Sequence, residues 1–341
     1  MADPGFRMAE ELREAPAGVS GQAQGLAAPL RELAARLKIR PPQLVVTCAR
    51  GSSAHAATFG KHLIERYFGI PVAAMAPNIA TVYRRPLRLS DQLFLAISQS
   101  GRSDDLVESA AMAKAAGALT AALVNQTGSP LALACDIVLP IAAGPERSVA
   151  ATKTFVASLS ALLRLVALWS GDVSLTAALD RLPDRLAAAV GLDWRDAATA
   201  LSGAPSLIAI GRGPTLAIAR EAALKLKEIA NLHAEAFSGA EFLHGPVALV
   251  STQYPILMFI PTDEGAEGLR LLGADLAGKG AALFVADPHG KGNLPMLPPD
   301  HPETDALCQI QSFYAMMVGL AERLGIDPDR PRHLQKVTRT R

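Results

Sequence analysis

The sequence predicts an α/β protein made of two tandem units, each a mainly parallel sheet with helices on both faces. Three observations predict it. A strand–turn–helix pattern recurs at equivalent places in the two halves, half of the residues are hydrophobic but only 5% are aromatic, and 341 residues suffice for two ordinary domains. A core built mainly from Ala, Val, Leu and Ile suits helices packed on a parallel sheet.

Residues 1–25 form an N-terminal segment. Met1 to Glu14 mixes acids and bases without an apolar run, unlike a signal peptide. Residues 26–170 form the first domain. In it Leu44–Ala49 is a short run rich in β-branched residues, followed by Arg50-Gly51-Ser52-Ser53 and a helical stretch from Ala54 to Tyr67. A second strand, Leu93–Ile97, leads through Ser98-Gln99-Ser100-Gly101 into a helix from Asp104 to Ala116. Residues 171–200 are linker helices. The amphipathic stretch Leu162–Ala200 is expected to break at Ser170-Gly171 and at Pro183.

The second domain, residues 201–325, repeats the order. Leu207–Ile210 passes through Gly211-Arg212-Gly213-Pro214 into a helix from Leu216 to Asn231. Ile256–Ile260 passes through Pro261-Thr262-Asp263-Glu264-Gly265 into a helix from Ala266 to Leu276. A period near half the chain points to internal duplication. Asp287–Pro302, rich in Gly and Pro, is loop. The tail, residues 326–341, lacks apolar periodicity and is expected to order only if it binds something.

A formal net charge of +1 gives no field for nucleic acid or an anionic membrane, so a bound anion must be held by a local site. Cys48, Cys135 and Cys308 show no pairing pattern, which suits a reducing compartment. No apolar stretch reaches the ~20 residues of a bilayer span. The expectation is a cytoplasmic protein with no nucleic-acid or membrane partner. The seven histidines show no ligand spacing, so neither a metal nor a cofactor is expected.

The two halves differ in their turns. Ser52 and Ser53 in one turn, and Ser98, Gln99, Ser100 and Ser103 in the next, stand where open α/β sheets form their ligand crevice. Helix N-termini and hydroxyl donors there can hold a phosphate dianion. Serine and glycine are also ordinary caps and turn formers, but two such loops at matching positions favour phosphate. The spacing is neither a Walker loop nor a dinucleotide fingerprint. In the second half the equivalent turns are Gly-Arg-Gly-Pro and an acidic Pro-Thr-Asp-Glu, which cannot hold phosphate in the same way.

The second half instead carries Glu221, Lys225 and Glu228 on one helical face, with Lys227 off it. The following segment, as far as Pro246, places His233, Glu235, Glu241 and His244 in a stretch too apolar to be fully solvated. Glu221–Val250 resembles the isomerase half of glucosamine-6-phosphate synthase. Arg50–Ser53, Ser98–Gly101, Val149-Ala150-Ala151-Thr152-Lys153 and Leu334-Gln335-Lys336 fall where that family has its sugar-phosphate loops, a further binding loop and its C-terminal lysine. The likeness runs from about Met8 to the end.

This resemblance implies two SIS domains, each a flavodoxin-like three-layer sandwich. It implies that Ser52, Ser53, Ser98, Gln99, Ser100 and Ser103 hold phosphate and sugar hydroxyls, with Val149 and Ala151 in the further loop. Glu228 would move a proton between C1 and C2. His244 would open the sugar ring in the neighbouring subunit of a homodimer, and Lys336 would form an imine with the open-chain ketose. Glu221 and Lys225 would complete a polar network around Glu228. Where the family has a serine this chain has Ala151, so one contact is missing or replaced. The family's glutamine-hydrolysing domain starts with a cysteine after the initiator methionine, whereas residue 2 here is Ala2, so free ammonia is the expected nitrogen partner.

Met8-Ala-Glu-Glu-Leu-Arg-Glu14-Ala-Pro16 is similar to the start of stand-alone isomerising glucosamine-6-phosphate deaminases. The expected activity is therefore interconversion of glucosamine 6-phosphate with fructose 6-phosphate and ammonia. Three alternatives stand beside it. They are a synthase-type isomerase using free ammonia, a deglycase on another amino-sugar phosphate, and a non-catalytic phosphosugar sensor.

Overall fold

The computed structural model describes residues 5–336. The chain divides into two compact units. A five-stranded unit takes Ala17–Glu146, Lys153–Asp180 and the chain from Gln335; a four-stranded unit takes the chain up to Pro16, Arg147–Thr152 and Arg181–Leu334.

The chain opens with α1 (Arg7–Ile39), β1 (Val45–Ala49), α2 (Gly51–Phe68), β2 (Val72–Ala74), α3 (Asn78–Thr81), β3 (Leu93–Ser98) and α4 (Asp104–Ala115). There follow β4 (Leu119–Val124), α5 (Pro130–Ala134), β5 (Ile137–Pro140), α6 (Lys153–Ser170), α7 (Val173–Val190) and α8 (Arg195–Leu201). The remainder is β6 (Ser206–Gly211), α9 (Pro214–Ala230), β7 (His233–Ser238), α10 (Gly239–Phe242), β8 (Pro255–Phe259), α11 (Ala266–Gly278), β9 (Ala282–Ala286) and α12 (Pro302–Arg323).

The five-stranded sheet runs β2-β1-β3-β4-β5, with every pair parallel. All six residues of β3 are buried, because both faces of this central strand are covered. Val46, Phe94, Ala96, Leu106 and Ala122 share one core. Strand order reverses between β1 and β3, where Ala49 lies beside Ile97, so the turns after these strands flank the switch point. Helix α6 is long and apolar enough, by length and composition, to cross a membrane, yet 83% of it is buried as a core helix.

The four-stranded sheet runs β7-β6-β8-β9, again all parallel, and repeats the first four positions of the other sheet. Ile208, Ile210, Met258, Ile260 and Leu269 form its core. A loop covers the edge that a fifth strand would take. The Asn293 amide donates to the Leu283 carbonyl at 2.7 Å and accepts from Val285 N–H at 2.7 Å, imitating a strand's peptide group. The α/β architecture of two parallel sheets agrees with the reading of the sequence.

One local expectation is corrected. Pro183 does not break the helix: α7 runs through it, and the interruption falls at Gly191–Trp194. Leu175, Ala178, Leu179, Leu182, Leu186 and Ala189 are all buried at helical spacing, and that packing offsets the lost proline hydrogen bond. The N-terminal segment, for its part, belongs to the 33-residue helix α1. Its buried Met8, Leu12, Ala15, Val19, Leu26, Leu30, Leu33 and Leu37 trace one stripe, disguised by Pro16, Pro29 and three glycines.

Candidate active site

In the five-stranded unit the predicted phosphate loops occupy the switch point. Ser52 and Ser53 lie in the first turn of α2, both half-buried. In the turn after β3, Ser98 Oγ accepts Gly101 N–H at 3.0 Å and Ser100 Oγ accepts Arg102 N–H at 3.3 Å. Ser103 precedes α4 at the capping position, with no side-chain cap bond, and Gln99 is half-buried beside it. Gly101 has φ +62°, and a Cβ there would lie 2.0 Å from Ser129 Oγ, so only glycine fits. The two turns are tied together. Arg50, just before α2, donates from Nε and Nη2 to Asp105 Oδ2 of α4 at 2.9 and 2.8 Å.

This tie was not read from the sequence. Its only signal was an arginine in one turn and an acid at the start of the other helix.

Lys336 also belongs to this unit. Its Nζ is 3.5 Å from Glu146 Oε2, and the Glu146 side chain is fully buried. Glu146 Oε1 accepts Thr154 N–H at 3.2 Å, at the start of α6.

In the four-stranded unit, the loop holding Val149 and Ala151 is gripped from two sides. The Glu11 carboxylate accepts Arg147 N–H and, at 3.2 Å, Ser148 N–H. Val149 N–H donates to the Asp329 carbonyl at 3.3 Å, while the Asp329 carboxylate caps α1 through Arg7 and Met8 N–H at 2.8 and 2.9 Å. Glu11 and Asp329 escaped the sequence reading. Glu11 lies within the Met8–Pro16 motif, which is the signal that pointed to it.

Helix α9 brings Glu221, Lys225 and Glu228 together as their spacing predicted. Lys225 Nζ lies 3.3 Å from Glu221 Oε1 and 2.6 Å from Glu228 Oε2. Tyr314 on α12 donates its hydroxyl to Glu221 Oε1 at 3.1 Å. The Lys225 and Glu221 side chains are 1% and 0% exposed, and Tyr314 is fully buried, whereas the Glu228 side chain is 21% exposed. The network therefore meets solvent at Glu228. Burial pulls the Lys225 ammonium down in pKa, but Glu221 and Glu228 outweigh it and hold the group above its ordinary value. A carboxylate fixed in this way is an oriented proton acceptor.

His244 sits apart from this network, on an exposed turn after α10, and its side chain makes no hydrogen bond or ion pair among the described residues. In the acidic turn after β8, Thr262 Oγ1 donates to the buried Asp305 Oδ2 at 2.8 Å, and Asp305 is paired with Arg185 at 2.9 Å. A carboxylate of the chain itself thus accepts from the Thr262 hydroxyl of this turn. Among the described residues there is no group of three or more His, Cys, Asp or Glu placed to hold a metal.

The SIS domain model matches residues 38–168 and 200–286. The glutamine–fructose-6-phosphate aminotransferase (isomerizing) of Caulobacter vibrioides is 34% identical over 313 residues, covering 86% of this chain and 51% of that protein. The chain thus spans about half the length of the curated relatives it matches. A Silicibacter pomeroyi protein, provisionally assigned as a phosphosugar isomerase, superposes with TM-score 0.90 at 43% identity over 95% of this chain and 99% of its own. The C-terminal domain of glucosamine–fructose-6-phosphate aminotransferase from Francisella tularensis superposes with TM-score 0.85 at 26% identity over 97% and 100%.

Proposed function

This chain belongs to the SIS-domain family, and we propose that it interconverts glucosamine 6-phosphate with fructose 6-phosphate and ammonia by proton transfer between C1 and C2. Its relatives are sugar-phosphate isomerases and the isomerising part of an aminotransferase, which supports an enzyme of hexose phosphates. The observation that carries the reading is the buried Tyr314–Glu221–Lys225–Glu228 chain, whose solvent contact lies at a carboxylate.

The roles follow from the chemistry. Ser52, Ser53, Ser98, Gln99, Ser100 and Ser103 bind phosphate and sugar hydroxyls through side-chain and helix-terminal donors. The loop of Val149 and Ala151 adds backbone contacts. His244, from a second copy in a homodimer, moves the proton that opens the ring. Glu228 takes the C2 proton of the open-chain amino sugar, giving an enolamine, and returns a proton to C1. The resulting C2 imine is hydrolysed by water, releasing ammonia and leaving the ketose. Lys336 forms an imine at the same ketose carbon, easing the exchange of nitrogen. The three buried free thiols suit a reducing, cytoplasmic setting.

The test is to mix the protein with glucosamine 6-phosphate and measure both ammonia and fructose 6-phosphate. Equimolar release, abolished in Glu228→Gln, is expected. The reverse reaction, supplied with ammonia or with glutamine, identifies the nitrogen donor. Binding without turnover in either direction would overturn the reading in favour of another amino sugar or a sensor.

A further inference from the structure

Arg50 stands between β1 and α2, extended at φ −132° and ψ 156°, in the N-cap position of the helix. Its backbone carbonyl accepts Ala54 N–H at 3.2 Å, while its side chain makes no capping bond and reaches across the switch point to α4. There Nε and Nη2 both donate to Asp105 Oδ2, at 2.9 and 2.8 Å. A guanidinium presents five N–H donors in a rigid fork. Asp105 takes one hydrogen from Nε and one from Nη2, so the outer edge of the fork is left, Nη1 with the second hydrogen of Nη2. Arg50 has no other side-chain hydrogen bond or ion pair among the described residues. The two ends of the pair are unlike: the Asp105 side chain is 3% exposed and that of Arg50 is 52% exposed. A buried acid thus fixes an arginine that remains half open to solvent between the two serine turns.

The local charges call for a cation at this place. The N-terminus of α4 attracts an anion, but its first turn carries Asp104 and Asp105. Carboxylates there oppose a phosphate dianion. Asp105 Oδ1 is buried without a hydrogen-bond partner, so its charge is not dispersed over other donors. Arg50 is its salt-bridge partner. The other arginine of this turn, Arg102, is exposed, and its side chain is bonded to nothing among the described residues, so it offers no fixed donor.

We propose that Arg50 is a ligand of the substrate phosphate: the outer edge of its guanidinium donates to two phosphate oxygens, and Asp105 is the positioning residue that aims it. The proposal rests on the reading above, in which the turns after β1 and β3 hold phosphate, and it adds the fixed cation that the serines lack. Two parallel N–H···O bonds match a phosphate better than the point charge of a lysine does.

The test is calorimetric titration of the whole chain with inorganic phosphate, beside steady-state kinetics on glucosamine 6-phosphate. Arg50→Met should raise the phosphate dissociation constant about 10- to 100-fold, the cost of losing charge-assisted bonds. KM should rise by a similar factor while kcat changes far less, because a contact kept throughout the reaction is uniform binding. Arg50→Lys keeps the charge without the fork and should fall between. Arg102→Met removes the same charge from the same turn and should change either constant by less than about threefold. Asp105→Asn frees the arginine but keeps its charge, so it should lose less than Arg50→Met, whereas a purely structural tie makes the two losses equal. Arg50→Met leaves Asp105 buried without its cation, so the double variant with Asp105→Asn serves if the single one does not fold, and it should bind phosphate as weakly.

Phosphate binding by Arg50→Met at the wild-type constant, equal losses in Arg50→Met and Asp105→Asn, as large a loss in Arg102→Met, or a wild type that binds no phosphate overturns the proposal. An unchanged constant in Arg50→Met beside normal turnover by the wild type leaves the function standing and removes only the role of Arg50. The expected phosphate losses in a chain that does not turn over glucosamine 6-phosphate do the reverse.

Discussion

The Lys225 ammonium stands 2.6 Å from the Glu228 carboxylate while its own side chain is only 1% exposed, so the charge that orients the candidate base is held inside the protein. A buried ammonium is tolerated here because Glu221 faces it from the other side at 3.3 Å. Lys225→Met leaves Glu221 buried without its cation and should destabilise the fold by about 3–5 kcal/mol. Urea unfolding measures it. Combining Lys225→Met with Glu221→Gln should cost less than the two single changes together, because they share one network.

The Glu221, Lys225 and Glu228 face was legible because spacings of four and three on a helix admit one geometry. The paired β1 and β3 turns were legible because the same pattern recurs half a chain later. Glu11, Asp329 and the Arg50–Asp105 tie were not, because their partners lie far away in sequence and no local pattern encodes them. Helix α1 was obscured by the low helix propensity of Pro16, Pro29 and the glycines, which burial of its leucine stripe overrides. Pro183 misled in the opposite direction, since a local rule gave way to tertiary packing.

Alkaline pH should weaken the fold through four buried groups. Burial pushes the Cys48 and Cys135 thiols up to about 11 and Cys308 up to about 12, from an ordinary 9.0. Between these values the folded chain keeps thiol protons that the unfolded chain has lost, so stability falls as pH rises above 9.0. Lys225, raised by its carboxylates against burial, contributes fully below its ordinary 10.5, and that contribution is lost as pH climbs through its higher folded value. Denaturant midpoints from pH 8 upward should decline, and Lys225→Met should lose the part above pH 10.5.

The same burial should make the thiols inert. Native protein at pH 8 should resist iodoacetamide, and all three cysteines should react once urea unfolds the chain, as counted by mass spectrometry.

Gly101→Ala should damage the second candidate phosphate loop. The new methyl would meet Ser129 Oγ at 2.0 Å in a backbone with φ +62°. A loss of about 1–3 kcal/mol in thermal stability is expected from the crowding and strain. Stabilisation by added inorganic phosphate, read in the same melts, should shrink with it.

Lys336 should be the lysine trapped when fructose 6-phosphate and borohydride are added together. Peptide mapping should find the sugar on Lys336, and Lys336→Arg should remove it. Glu146→Gln should reduce the trapped fraction, because the buried carboxylate 3.5 Å away helps to hold the lysine in place.

The most direct test of Glu228 as the carbon acid's base is turnover of glucosamine 6-phosphate in deuterium oxide, followed by proton NMR of the remaining amino sugar. The wild type should wash deuterium into C2, and Glu228→Gln, still folded, should incorporate none. Exchange at C2 at the wild-type rate in Glu228→Gln would show that another group moves the proton and would contradict the mechanism at its centre.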